Sequence, residues 1–172
     1  MKHKVWIVRV ILIIFIALWM LLIFDFSDYD GDSSQKLSDK ITIKIVHIIK
    51  PSYESLPKVE KKKIFEATSF VVRKTAHVVE YIILGALVCG FLATLDWIKN
   101  NSKKTKYVIL ITTLWCTVYA ITDEVHQGFV KGRSPQEFDV FVDFLGALIA
   151  AVLFMAIWNK NFKKKRIKNE EV

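Results

Sequence analysis

Apolar residues in this chain fall into four long blocks, and polar residues crowd at the ends of three of them. Val10 to Phe24 is unbroken, with Val5 to Val8 ahead of it and only Arg9 between. A second block runs from about Thr75 to Leu95, a third from Tyr107 to about Ile121, and a fourth from Phe138 to Trp158. A helix needs roughly 20 predominantly apolar residues to cross the hydrocarbon core. Each block reaches that length once its polar ends are counted. The pattern therefore predicts an all-α integral membrane protein, a single membrane domain over 1–172. Its four transmembrane helices are expected at 5–24, 75–95, 107–126 and 135–158. The first block is too long for a signal-peptide core, and no small-x-small cleavage site precedes Asp25-Phe26-Ser27-Asp28, so it is expected to stay as an anchor.

The loop at 25–74 has patterning of its own. Asp25, Asp28, Asp30 and Asp32 with Gly31 make an acidic turn. A calcium loop would close with Glu at its twelfth position and alternate its ligands regularly. That pattern is missing, so a solvated turn is expected. Ser38 can cap a short helix on which Leu37, Ile41, Ile45 and Ile48 share a face and which Pro51 stops. A short amphipathic helix of this kind lies on the membrane surface. Pro57 can open a further helix that carries Ile64, Phe65 and Val72 towards the second span.

Charge adds a direction. The chain has 172 residues, 53% of them hydrophobic, and a net charge of +8. With four spans, one side holds 1–9, 96–106 and 159–172; the other holds 25–75 and 123–137. The first side is about twice as dense in Lys and Arg, and positive charge stays on the cytoplasmic side. Both termini are therefore expected in the cytoplasm, with Lys163-Lys164-Lys165-Arg166 as an anchor facing anionic lipid. Nucleic-acid binding would want a soluble basic face with aromatics, which is absent. Cys89 and Cys116 lie inside spans and form no disulfide framework or zinc motif.

Ionisable groups at membrane depth are costly, and they persist where they face one another or a water-filled cavity. Here they recur at three- and four-residue steps, so they share helix faces. Arg73, His77, Glu80 or Tyr81 and Leu84 form one stripe. Tyr119, Asp123, His126 and Gln127 form a second, with Glu124 beside it. Asp139, Asp143 and Gly146 form a third. All three lie at the outer ends of their helices and can converge on one pocket. Ser134-Pro135-Gln136-Glu137 has the form of a capping box with Pro at the first helical position, which makes Ser134 a cap rather than a nucleophile. Asp143 would then sit roughly 12 Å along the fourth helix, with Arg73 and Arg133 as candidate partners. Only Arg9, Arg73, Arg133 and Arg166 of the 25 Lys and Arg are Arg. Two of those four fall in the cluster, where a planar fork binds carboxylate or phosphate as Lys cannot.

Two chemistries remain open beside a network that only holds helices together. In one, Arg73, Lys74 and Arg133 bind an anionic head group, with Arg133 meeting the anion at the start of the fourth helix. In the other, the cluster is catalytic, with His77, Glu80, Asp123, His126 and Asp143 as candidates. His77-x-x-Glu80 and Asp123-x-x-His126 each put a His and a carboxylate one turn apart, a weak metal-ligand signal.

These residues carry a resemblance. Arg73-Lys74-x-x-His77-x-x-Glu80-Tyr81 with Leu84-Gly85, then Asp123-Glu124-x-His126-Gln127-x-Phe129-x-x-Gly132-Arg133, then Asp139-x-x-x-Asp143-x-x-Gly146 resemble the VanZ-like family over about 70–155. Asp143 stands where many members carry Asn and adds a negative charge. The resemblance implies a multi-pass protein of the bacterial cell membrane. The family's namesake is linked to reduced susceptibility to teicoplanin, a glycopeptide acting on cell-wall precursors outside the membrane. The expected partners are membrane lipid and an anionic lipid-linked or cell-wall precursor; no cofactor is implied.

Overall fold

The computed structural model describes residues 2–28, 31–101 and 103–170. Among them the order is α1 (Lys2–Asp28), α2 (Gly31–Ile49), a 3-10 turn (Tyr53–Ser55), α3 (Lys58–Leu92), α4 (Asp96–Asn100), α5 (Lys104–Gln127) and α6 (Glu137–Glu170). Asp30 of the acidic turn lies outside the described residues. Helices α1, α3, α5 and α6 each contain a stretch long and apolar enough to cross a membrane. The protein is an all-helical membrane protein with four such spans.

Helix α6 packs along both α3 and α5, and these three form the core. Small residues let α6 and α3 approach closely. A Cβ on Gly146 would lie 2.6 Å from the Val78 carbonyl oxygen, and one on Gly85 would lie 3.0 Å from Ala150 Cβ. Without a hydrophobic drive between helices in lipid, such close backbone packing is what holds spans together. Helix α1 stands at the edge. Only 6% of its apolar window is buried, and Ile7, Ile11, Ile14, Leu18 and Leu21 all face outward.

Polar contacts pin α1 at successive heights. Arg9 donates to the Thr94 carbonyl at 2.7 Å. Trp19 donates to the Glu80 carbonyl at 2.9 Å, and the Tyr119 hydroxyl donates to the Met20 carbonyl at 2.6 Å. Helix α1 therefore runs antiparallel to α3 and parallel to α5. Its last turn ends beside the polar ends of α3, α5 and α6.

Three expectations change. Helix α2 begins at Gly31, so Ser38 is an interior residue and not a cap. Thr42 and Val46 are buried, with Ser38 half-buried one turn before them, and this four-residue spacing packs α2 on α3. Leu37, Ile41 and Ile48 face outward. The amphipathic helix after Pro57 and the second span are one helix, α3, of 35 residues. At 1.5 Å per residue it is about 52 Å long, well beyond a ~30 Å hydrocarbon core. No glycine or proline interrupts 58–84, so nothing stops the helix between its amphipathic start and its apolar end. The start is clamped to the preceding turn by Glu54, which meets His47 at 3.0 Å and Lys61 at 2.9 Å. The Lys61 contact first, then His47, holds the Glu54 carboxyl below the usual carboxylate range.

The third change is at the fourth span. Helix α6 starts at Glu137, not Pro135. The backbone N–H of Gln136 is taken by Glu124 Oε2 at 2.8 Å, and Asp139 N–H donates to the Gln136 carbonyl at 2.8 Å. A carboxylate from α5 thus replaces the expected Ser134 cap. Residues before a proline are also pushed to extended backbone, which keeps Ser134 out of the helix. Gly132 turns the chain with φ 77°, a conformation that favours glycine.

Candidate functional site

The polar stripes of α3, α5 and α6 meet at one end of the bundle, in two connected parts. The first lies between α3 and α6. Lys74 Nζ forms an ion pair with Asp139 Oδ1 and donates to Gln136 Oε1 at 3.1 Å. One turn deeper, His77 Nδ1 is 3.1 Å from Asp143 Oδ1, while its Nε2 is 3.8 Å from Asp139 Oδ2. The four-residue step from Asp139 to Asp143 on α6 and the three-residue step from Lys74 to His77 on α3 bring these pairs opposite one another. Asp139 is 7% exposed and Asp143 only 1%. Phe70 and Phe138 flank Lys74, with its Nζ 5.3 and 5.6 Å from their ring centres. That cation–aromatic pairing shields the ion pair from one side.

The second part lies between α5 and α1. Gln127 Nε2 donates to Asp123 Oδ2 at 3.0 Å, and buried Ser27 of α1 lies next to Asp123. His126 stacks on Phe24, with ring centres 4.3 Å apart, and its Nε2 is 3.4 Å from Asp28 Oδ1. Glu80 and Tyr81 join the two parts. Glu80 is within electrostatic reach of His77, Asp143, Asp123 and Arg133. Tyr81 is fully buried, close to Asp143 and Asp123, and its ring centre is 6.4 Å from that of Tyr119.

The arginines make contacts with α1 and α2 that spacing within one helix does not show. Arg73 is exposed and donates to Gln35 of α2 at 3.3 Å. Arg133 donates to the Phe26 carbonyl at 2.9 Å, so its guanidinium caps the end of α1, within electrostatic reach of Glu80. Lys74 and His77 are the cations that meet the buried acids Asp139 and Asp143. His126 meets α1 through Phe24 and Asp28. Among the described residues no group of three His, Cys, Asp or Glu side chains has an arrangement that could hold a metal ion. The His77-x-x-Glu80 and Asp123-x-x-His126 pairs thus do not close on a common point.

Several polar atoms in the cluster are left open. Tyr81 Oη, Asp143 Oδ2 and Glu124 Oε1 are buried with no hydrogen-bond partner. A buried polar group left unpaired costs about 1–3 kcal/mol. Gln136 and Asp28 were not among the residues singled out as a site. Gln136 stood inside a capping pattern that accounted for it locally. Asp28 belonged to an acidic turn whose contact with His126 depends on where α1 packs, which spacing within one helix does not reveal.

A family model described as VanZ/LLP1 matches residues 12–159 of the chain. No curated protein and no solved structure matches it.

Proposed function

The chain belongs to the VanZ-like family, and from that premise we propose that it is a bacterial cell-membrane protein whose polar cluster binds the phosphate-bearing head group of an envelope lipid or lipid-linked precursor in the outer leaflet. The observation that carries this is the arrangement behind Lys74. Its ammonium stands at the mouth of the cluster, held by Asp139 and Gln136, and behind it lie buried acceptors with no donor of their own. Each open acceptor costs about 1–3 kcal/mol, and a ligand that donates to it offsets that cost. A head group supplies what is missing. Its phosphate meets Lys74 and the exposed Arg73, and its hydroxyl or amide groups donate to the carboxylates.

Phosphatidic acid and diacylglycerol differ only in the phosphate, so they test the reading directly. Purified protein, offered dioleoyl phosphatidic acid and dioleoylglycerol and analysed by native mass spectrometry, is expected to retain the phosphate-bearing lipid at least tenfold better. Arg73→Gln should reduce the preference and Lys74→Gln remove it. Equal retention of the two lipids by the unaltered protein contradicts the reading. In cells, sequestering a precursor at this face alters what a glycopeptide meets outside the membrane. Teicoplanin susceptibility in a strain that depends on this chain is the matching phenotype.

A further inference from the structure

A cavity of about 580 Å³ opens between the outer end of α5, the 128–136 turn and the start of α6. Its walls include Ile121, Val125, Phe129, Pro135 and Val140. The cavity has a definite cause. Gly128 is pinched against Pro135, whose Cγ would be 2.9 Å from a Cβ at Gly128, and α6 does not begin until Glu137. The turn therefore arches out before α6 comes back to α5. The volume falls within the ~300–1,000 Å³ of small-ligand sites.

Two observations say what fills it. Ile121, Val125 and Val140 belong to helices long and apolar enough to span a membrane, and Val125 and Phe129 are 57% and 85% exposed, so a lipid chain can reach the opening. The cavity is also continuous with the polar cluster. Gln136 lines it while its side chain accepts from Lys74. Glu124 lines it too, and holds the Gln136 N–H. A polar head site and an apolar chain site thus share Gln136 and Glu124, as the recognition of a single amphiphile requires. We propose that this cavity holds one acyl chain of the membrane lipid whose phosphate lies at Lys74. The inference rests on the head-group reading above, and the following experiment separates the two.

Val125→Trp puts a large side chain into the cavity from a lipid-facing position. Val152→Trp makes the same change at another lipid-facing position, 47% exposed and outside the cavity lining. Both variants should accumulate and melt like the unaltered protein. Native mass spectrometry with dioleoyl phosphatidic acid and dioleoylglycerol is the readout. Val125→Trp is expected to lower retention of both lipids at least tenfold, and Val152→Trp to change neither. If Val125→Trp leaves both unchanged, or Val152→Trp lowers both equally, the cavity holds no specific chain and the inference is overturned. If Val125→Trp weakens both lipids but the unaltered protein shows no preference for phosphate, the chain site stands and the head-group reading falls.

Discussion

At the scale of the residue, His77 is the member of the cluster on which most depends. It faces Asp143 at 3.1 Å and Asp139 at 3.8 Å, and both acids are buried. Removing one partner of a buried pair leaves an uncompensated charge, at a cost of about 3–5 kcal/mol. His77→Phe is therefore expected to reduce the melting temperature and the amount of protein in the membrane sharply. His77→Phe with Asp143→Leu should recover much of the stability, because replacing both partners by apolar groups is often close to neutral. Melting curves of the purified variants check this. A double variant as unstable as the single one would show that His77 and Asp143 are not coupled. The sequence made this pair legible in part. Spacing placed His77 and Asp143 on inward stripes, but it assigned Asp143 to an arginine. Scarcity of Arg drew attention to Arg73 and Arg133, whereas the rotation of α3 against α6 puts Lys74 and His77 opposite the acids. That rotation is set by close backbone contact at Gly146 and Gly85, which no single-helix pattern encodes.

At the scale of the element, the crossing of α3 and α6 builds the site. Gly146→Ala would place a methyl 2.6 Å from the Val78 carbonyl oxygen and 3.2 Å from Tyr81 Cβ. The backbone on both sides must shift, and overpacking of this kind costs about 1–3 kcal/mol. At Gly90 the nearest atom to a new Cβ is Leu12 Cδ2 at 3.7 Å, an ordinary contact. Gly146→Ala is thus expected to destabilise the protein and weaken lipid binding together, while Gly90→Ala does neither. Thermal melting and lipid retention, measured on the same samples, decide it; equal behaviour of the two variants would mean that the crossing is not tight. Element types were legible because hydrophobic runs of spanning length leave few alternatives. Element ends were less so. The S-P-Q-E pattern at 134–137 is a local signal for a cap, and it lost to a carboxylate from α5 that takes the Gln136 N–H. On α2, Leu37, Ile41 and Ile48 face outward. The neighbouring face, at Ser38, Thr42 and Val46, is the more buried and packs α2 on α3; the small polar Ser38 and Thr42 gave no signal of burial.

At the scale of the whole molecule, the contacts of α1 fix how the ends correspond. Arg9 meets Thr94 at one end, while Arg133 meets Phe26 and His126 meets Asp28 at the other. The polar cluster and the cavity belong to the second end. The described parts of the Lys- and Arg-dense segments, 2–9, 96–101, 103–106 and 159–170, belong to the first. Positive charge held in the cytoplasm then turns the cluster outward, which is the orientation we propose. The head-group site has its function only if that end faces out of the cell. Lys131, in the turn beside the cavity, and Lys103, before α5, are both exposed and lie at opposite ends. Cys89 and Cys116 are fully buried and leave the background to a thiol reagent low. The deciding measurement is labelling of Lys131→Cys and Lys103→Cys variants in intact cells with a membrane-impermeant maleimide. Lys131→Cys should be labelled at once and Lys103→Cys only after the cells are permeabilised; the reverse pattern would put the cluster in the cytoplasm and contradict an outer-leaflet head-group site.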